Sequence, residues 1–161
     1  MMNNSADLPY RPCVGFMMLN PEGKVFVAKR IDTKVHAWQM PQGGIDEGES
    51  PLDAVFREME EEIGTRNAVI IQEYDGWLHY DLPEHLIGTL WGGKYRGQKM
   101  KWYLMRFQGQ DSDIDINTAN PEFSEWKWLE MNKLAQSIVA FKRPLYEQII
   151  ASFSPRKPNS L

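Results

Sequence analysis

Cysteine is almost missing from this chain: its 161 residues contain one, Cys13. A lone cysteine closes no internal disulfide, so stability must come from packing, and a reducing, cytoplasmic setting is expected. Long apolar runs are missing too. Spanning a bilayer takes about 20 consecutive apolar residues, and the longest run here, Cys13–Leu19, is strand-sized. Met1–Tyr10 has neither the basic start nor the apolar middle of a secretory leader, so no membrane partner is expected. Histidine is scarce, and His36, His79 and His85 lack the spacing of a zinc site. No repeat or low-complexity tract divides the chain. What is present is ordinary globular material, 42% hydrophobic and 25% charged, in a length that buries one core.

The formal charge of −4 is unevenly spread. Between Asp46 and Glu62 stand eight acids and one base, Arg57, so this segment carries −7 and the remainder +3. A carboxylate patch on a mildly basic body suits a cation-dependent enzyme acting on a polyanion. It equally suits a solvated acidic helix face. Spacing has to decide between them.

Two β-prone segments, Cys13–Asn20 and Lys24–Arg30, flank the turn sequence Asn20-Pro21-Glu22-Gly23 and read as a hairpin. Ala68–Gln72, Met100–Phe107 and Glu125–Leu129 read as further strands, and Asn132–Ser137 and Pro144–Phe153 as helices. Leu82–Gln98 and Gln108–Pro121 read as long loops, and loops of that length in a compact domain are commonly functional. The fold class is α/β, built on a mixed β-sheet. A single domain over residues 9–153 is expected, with frayed ends at 1–8 and 154–161.

Ser50–Ile63 is the helix that carries the chemistry. Ser50 suits the N-cap, Pro51 the first helical position, Asp53 the capping box, and Gly64 the residue that ends the helix. Leu52, Val55, Phe56, Met59 and Ile63 form one apolar stripe, with Glu58, Glu61 and Glu62 on the opposite face at i, i+3 and i+4. Close like charges cost roughly 0.2–0.5 kcal/mol per pair, and anions near a helix C-terminus also oppose its dipole. Divalent cations remove both penalties, and carboxylate oxygens suit Mg²⁺ or Mn²⁺. Arg57 stands four residues before Glu61 and can hold it. Upstream, Trp38-Gln39-Met40-Pro41-Gln42-Gly43-Gly44 ends in two glycines, which let a backbone come close to a ligand or metal.

Gly43-x5-Glu49-x7-Arg57-Glu58-Met59-x-Glu61-Glu62-x-Gly64 resembles the Nudix box, the signature of hydrolases of nucleoside diphosphates linked to another moiety. Thr65 departs from the family's usual aliphatic residue and leaves the carboxylates untouched. Further stretches resemble a bacterial subfamily of RNA pyrophosphohydrolases, or (di)nucleoside polyphosphate hydrolases. They are Tyr10-Arg11-Pro12-x-Val14-Gly15, Trp38–Ile45, Gly97-Gln98-Lys99, Pro121-Glu122-Phe123 and Phe141-Lys142-Arg143. The resemblance implies the Nudix fold, an α/β/α sandwich, and Mg²⁺-dependent attack of water on a polyphosphate, with Mn²⁺ able to substitute. It implies a metal set of Glu58, Glu61, Glu62 and Glu122 with the carbonyl of Gly43. Glu61 and Glu122 are both candidates for general base, and Arg57 completes the catalytic group.

Substrate contacts are expected from Arg11, Arg30, Gln39, Gln98, Lys99 and Lys142 to phosphate oxygens. Tyr80 or Phe141 would stack on a base, and Arg30 could use its guanidinium plane the same way. Lys94, Arg96, Lys99 and Lys101 would guide a polyanion inward. Cys13 and the tryptophans at 77, 91, 102, 126 and 128 read as packing residues. The expected substrate is a 5′-triphosphate RNA end, cut to a monophosphate with release of pyrophosphate, which exposes the transcript to decay. The alternative is asymmetric hydrolysis of a dinucleoside polyphosphate such as diadenosine tetraphosphate. A third reading, a catalytically silent domain that only binds nucleotide or RNA, has no use for the carboxylate repulsion. No DNA partner is expected, and the chain is expected to act as a monomer.

Overall fold

The computed structural model describes residues 7–32 and 36–153, so of the frayed ends expected at 1–8 and 154–161, residues 1–6 and 154–161 lie outside the described residues. Seven strands form one sheet: β1 (Tyr10–Leu19), β2 (Val25–Arg30), β3 (Gln42–Gly44), β4 (Ala68–Glu73), β5 (Leu78–Asp81), β6 (Gly97–Phe107) and β7 (Phe123–Leu129). Among the described residues three α-helices accompany them: α1 (Pro51–Ile63), α2 (Leu134–Ser137) and α3 (Arg143–Phe153). The main path runs β4-β6-β1-β2-β7, with β3 on β1 and β5 on β6. The β1–β6 pair is parallel, from Tyr10 opposite Gly97 to Leu19 opposite Arg106, and the other pairs are antiparallel. The sheet is therefore mixed.

β1 is the centre because it is apolar on both faces. Val14, Phe16 and Met18 pack with Ala54, Val55, Met59 and Ile63 of α1. Cys13 and Met17 pack with Trp102 of β6 and with Leu145, Tyr146 and Ile149 of α3. A strand buried on both sides reads as a continuous hydrophobic run, and the result is the expected α/β/α sandwich. Gly15 belongs to this packing: a Cβ there would come within 2.6–2.7 Å of the Trp102 ring.

The Asn20–Gly23 turn forms as expected, with the Asn20 amide donating to the Lys24 carbonyl at 3.0 Å. Two short strands escape sequence reading. β3 is largely glycine, a poor strand former, and β5 follows a turn at Gly76. Gly97 and Gln98 belong to β6 rather than to the long loop before it. That loop is otherwise built of short turns, Glu84–Leu86 and Leu90–Gly93.

One buried hydrogen bond ties this scaffold to the segment ahead of β3. The Met40 amide donates to the hydroxyl of Tyr146 at 2.8 Å, and Tyr146 is fully buried. Tyr146→Phe strands that amide away from water, which costs about 1–3 kcal/mol. Thermal unfolding should show Tm lowered by several degrees, at roughly 2–4 °C per kcal/mol for a chain of this size.

Candidate active site

α1 begins and ends as its sequence dictates. The Asp53 amide donates to Ser50 Oγ at 3.2 Å, and Gly64 closes the helix in the left-handed region with φ +77°. Its faces differ from the expected ones. Leu52 is exposed, whereas Glu58 and Glu62 are buried beside Val55, Met59 and Ile63. The two glutamates lie on the inward side because β3 leaves them room. A Cβ on Gly43 would overlap the Glu58 carboxylate, so only glycine fits there.

Arg57 is the hub. Its Nε and Nη2 grip Glu49 Oε2 and Oε1 at 2.7 and 2.8 Å. Its Nη1 donates to Glu58 Oε1 at 3.0 Å and Glu61 Oε2 at 3.1 Å, and Nη2 also reaches the Gly44 carbonyl at 2.9 Å. An arginine has five N–H donors in a rigid fork, and here each has an acceptor. The expected Arg57–Glu61 pair forms, but Glu49 is the stronger partner. The Arg57 hydrogen bonds, helped by the Asp46 amide, hold the Glu49 carboxyl down at about 2.

Glu62 has no such support. It is 2% exposed, and neither carboxylate oxygen meets a donor. Burial first, then the charges of Glu58 and Glu122, push its carboxyl well above the usual range. Burial also raises Glu58, against the pull of Arg57. Glu122, exposed just ahead of β7, lines the cavity and bears on Glu62, and its main-chain carbonyl is fixed by the Ile31 amide at 2.9 Å. Glu61 stands apart, 58% exposed on the outer side of Arg57. Among the described residues no three carboxylate, imidazole or thiol groups stand together as a ready metal cage. Even so, the donor set fits a hard divalent cation: Glu62 is a buried anion without a donor, and a cation is the neutralising partner it lacks.

Beside these carboxylates opens a cavity of about 570 Å³. Its lining brings together Gly43, Glu58 and Glu122 with Arg11, Arg30, Gln39, Gln98 and Lys142, all of them candidates named from the sequence. Lys142 is lowered to about 8, chiefly by burial and then by Arg30. Arg30 is held bidentately by Asp32 at 2.8 and 2.7 Å, a partner sequence reading missed. The Tyr80 hydroxyl donates to Gln98 Oε1, which also accepts from Gln42 Nε2 at 3.1 Å. Phe141 leans over Tyr80 with ring centroids 6.0 Å apart.

Lys99 does not line the cavity. It lies next to Gln98 on β6, and strand alternation turns it away, with its Nζ 5.5 Å from the Trp77 ring. The basic cluster is also spoken for: Arg96 pairs with Asp81, and Lys101 binds the Tyr74 and Gly76 carbonyls. Sequence reading missed the apolar wall of Leu82, Leu86, Leu90, Trp91 and Val139. The available signal was a long loop carrying regularly spaced large apolar residues among glycines. Cys13 is a buried core residue, with its thiol raised to about 11 by burial.

Comparison with known proteins adds the lineage. The NUDIX domain model matches residues 9–149. An RNA pyrophosphohydrolase of Rhodospirillum rubrum is 57% identical over 151 residues, covering 94% of this chain and 91% of that protein. One of Rickettsia canadensis is 55% identical over 147 residues, covering 91% of each. Among solved structures, the E. coli dihydroneopterin triphosphate pyrophosphohydrolase superposes with a TM-score of 0.64 at 18% identity, covering 89% of this chain and 99% of that one. A C. elegans Ap4A hydrolase complex gives 0.61 at 18% identity, covering 88% and 98%. These two show the shared fold, while the family model and the close relatives show descent: the chain belongs to the NUDIX family.

Proposed function

We propose that this chain is a divalent-metal-dependent pyrophosphohydrolase that converts 5′-triphosphate RNA ends to 5′-monophosphates, releasing pyrophosphate. One observation carries the reading: the donor-less, buried Glu62 beside Glu58 and Glu122, next to a cavity that Arg11, Arg30 and Lys142 also line. The high identity to proteins named RNA pyrophosphohydrolase supports the RNA substrate.

In this reading Glu58, Glu61, Glu62 and Glu122, with the carbonyl of Gly43, would hold Mg²⁺, for which Mn²⁺ could substitute. When bound, the metal makes water a better nucleophile and neutralises phosphoryl oxygens. Arg57 keeps Glu58 and Glu61 in place, and Glu61 or Glu122 takes the proton of the attacking water. Arg11, Arg30 and Lys142 bind the phosphate chain, and Gln39 and Gln98 orient it. An anion entering the cavity offsets the burial of Lys142 and draws its pKa back up from about 8, which secures its positive charge. Phe141, which partly covers the buried Tyr80, offers the accessible ring for a base. No helix among the described residues is long and apolar enough to cross a membrane. The single free thiol, Cys13, suits a reducing compartment such as the cytoplasm.

The test of substrate is direct. With Mg²⁺, kcat/KM is measured for a short 5′-triphosphate RNA and for diadenosine tetraphosphate, with Glu61→Gln as blank. A preference for RNA is expected. A preference for the dinucleotide would overturn the substrate and keep the chemistry. Glu61→Gln should cut turnover roughly 10²–10⁴-fold if Glu61 is the base, with ligand binding retained.

Stability reports on the metal separately. A carboxyl whose folded pKa lies above its unfolded value favours folding at low pH, and that gain is lost as pH rises through the folded pKa. In EDTA the wild type should therefore lose Tm relative to Glu62→Gln as pH rises above the ordinary glutamate range. Adding Mg²⁺ at a hundred times its Kd stabilises by about 2.7 kcal/mol, or roughly 5–10 °C, and Glu62→Gln should lose most of that gain.

A further inference from the structure

Among the described residues, Trp91 is the one non-glycine with positive φ (52°). Gly92 and Gly93 follow at φ 68° and 72°, so three successive residues are left-handed. The run is tightly closed, since a Cβ on Gly93 would meet the Gly88 carbonyl oxygen at 3.0 Å. Left-handed backbone is unfavourable for a bulky side chain, and such strain persists only where the surroundings enforce it. Here it carries the indole into the cavity wall, where the Arg11 Cζ lies 5.5 Å from the ring centroid.

Arg11 is unlike the other arginines near the site. Arg30 and Arg57 are each gripped by carboxylates, while among the described residues no carboxylate pairs with Arg11. Its Nη1 donates to the soft Cys13 Sγ at 3.2 Å. On another side, Nη2 lies 2.6 Å from where a Gly44 Cβ would stand, so the glycine backbone is its floor. The guanidinium thus rests between the Gly44 backbone and the Trp91 face, held by packing rather than by charge, with donors left over.

We propose that Trp91 is the positioning residue for Arg11, fixing the guanidinium plane so that its free donors meet the phosphate chain. The proposal rests on the cavity being a polyphosphate site, and it explains why the loop stores strain at that residue. A carboxylate would orient Arg11 equally well but would compete with the incoming anion. An aromatic face orients the cation and leaves its positive charge available.

The test uses calorimetric binding of imidodiphosphate, a non-hydrolysable pyrophosphate, to the full chain with Mg²⁺. Trp91→Asn removes the ring and suits the left-handed backbone, since asparagine tolerates that region. Trp91→Leu keeps apolar packing without a π face, and Trp91→Phe restores one. We expect Asn and Leu to weaken binding about tenfold and Phe to stay within about threefold of wild type. Combined with Arg11→Gln, Trp91→Leu should add nothing to the loss from Arg11→Gln alone, because the ring acts through Arg11. For triphosphate RNA the Trp91→Asn loss should fall on KM with kcat little changed. Wild-type binding in Trp91→Leu, or full additivity with Arg11→Gln, overturns the proposal. Failure of the wild type to bind imidodiphosphate overturns the polyphosphate reading and this inference with it.

Discussion

Two groups of opposite charge approach the same short strand because that strand has no side chains to keep them off. Glu58 lies where a Cβ of Gly43 would be, and Arg11 where a Cβ of Gly44 would be. The Gly44 carbonyl meanwhile accepts from Arg57, so β3 touches the acidic helix, its arginine hub and Arg11 of the cavity lining at once. Adding one methyl group to either glycine would force a charged group out of place. The order of the rest follows. α1 can press its glutamates inward only because β3 is bare, and β3 holds its position through β1 and through the Met40 amide on Tyr146.

The electrostatics divide into a satisfied half and an unsatisfied one. Arg57 and Glu49 form a closed fork, with each guanidinium donor used and the Glu49 acid strengthened. Next to it, Glu62 is buried with neither oxygen bonded to a donor. Burying an unneutralised carboxylate is unfavourable in proportion to its desolvation. The fold therefore places an unmet demand for positive charge beside a cavity that Arg11, Arg30 and Lys142 also line. Arg57 supplies rigidity without supplying that charge to Glu62.

Legibility in the sequence followed the range of the forces involved. α1 was readable to the residue because its caps are local: Ser50 Oγ binds an amide three residues on, and Gly64 supplies a conformation few residues tolerate. The Glu58–Glu62 pairing at i and i+4 was equally local. What charge alone could not reveal is that this pair faces inward, since the space for it belongs to β3, more than ten residues away. Lys99 and Gln98 make the same point on β6. Either could face the cavity from composition, and the register that sets Tyr80 opposite Gln98 decides for the glutamine. Trp91 read as packing because only the folded loop reveals its backbone and its contact with Arg11.

The parallel β1–β6 pair has a consequence for how this protein comes into being. Tyr10 pairs with Gly97, eighty-seven positions later, and Leu19 with Arg106. Contacts so distant in sequence are slow to form, because the intervening chain must be closed before they reward it. During synthesis, β1 emerges early and keeps an apolar face uncovered until β6 follows. Arg11 and Gln98, on paired positions of those two strands, meet only at that moment. Glu122, Phe141 and Lys142 follow β6 in the chain, so the cavity closes only after the centre of the sheet has a partner.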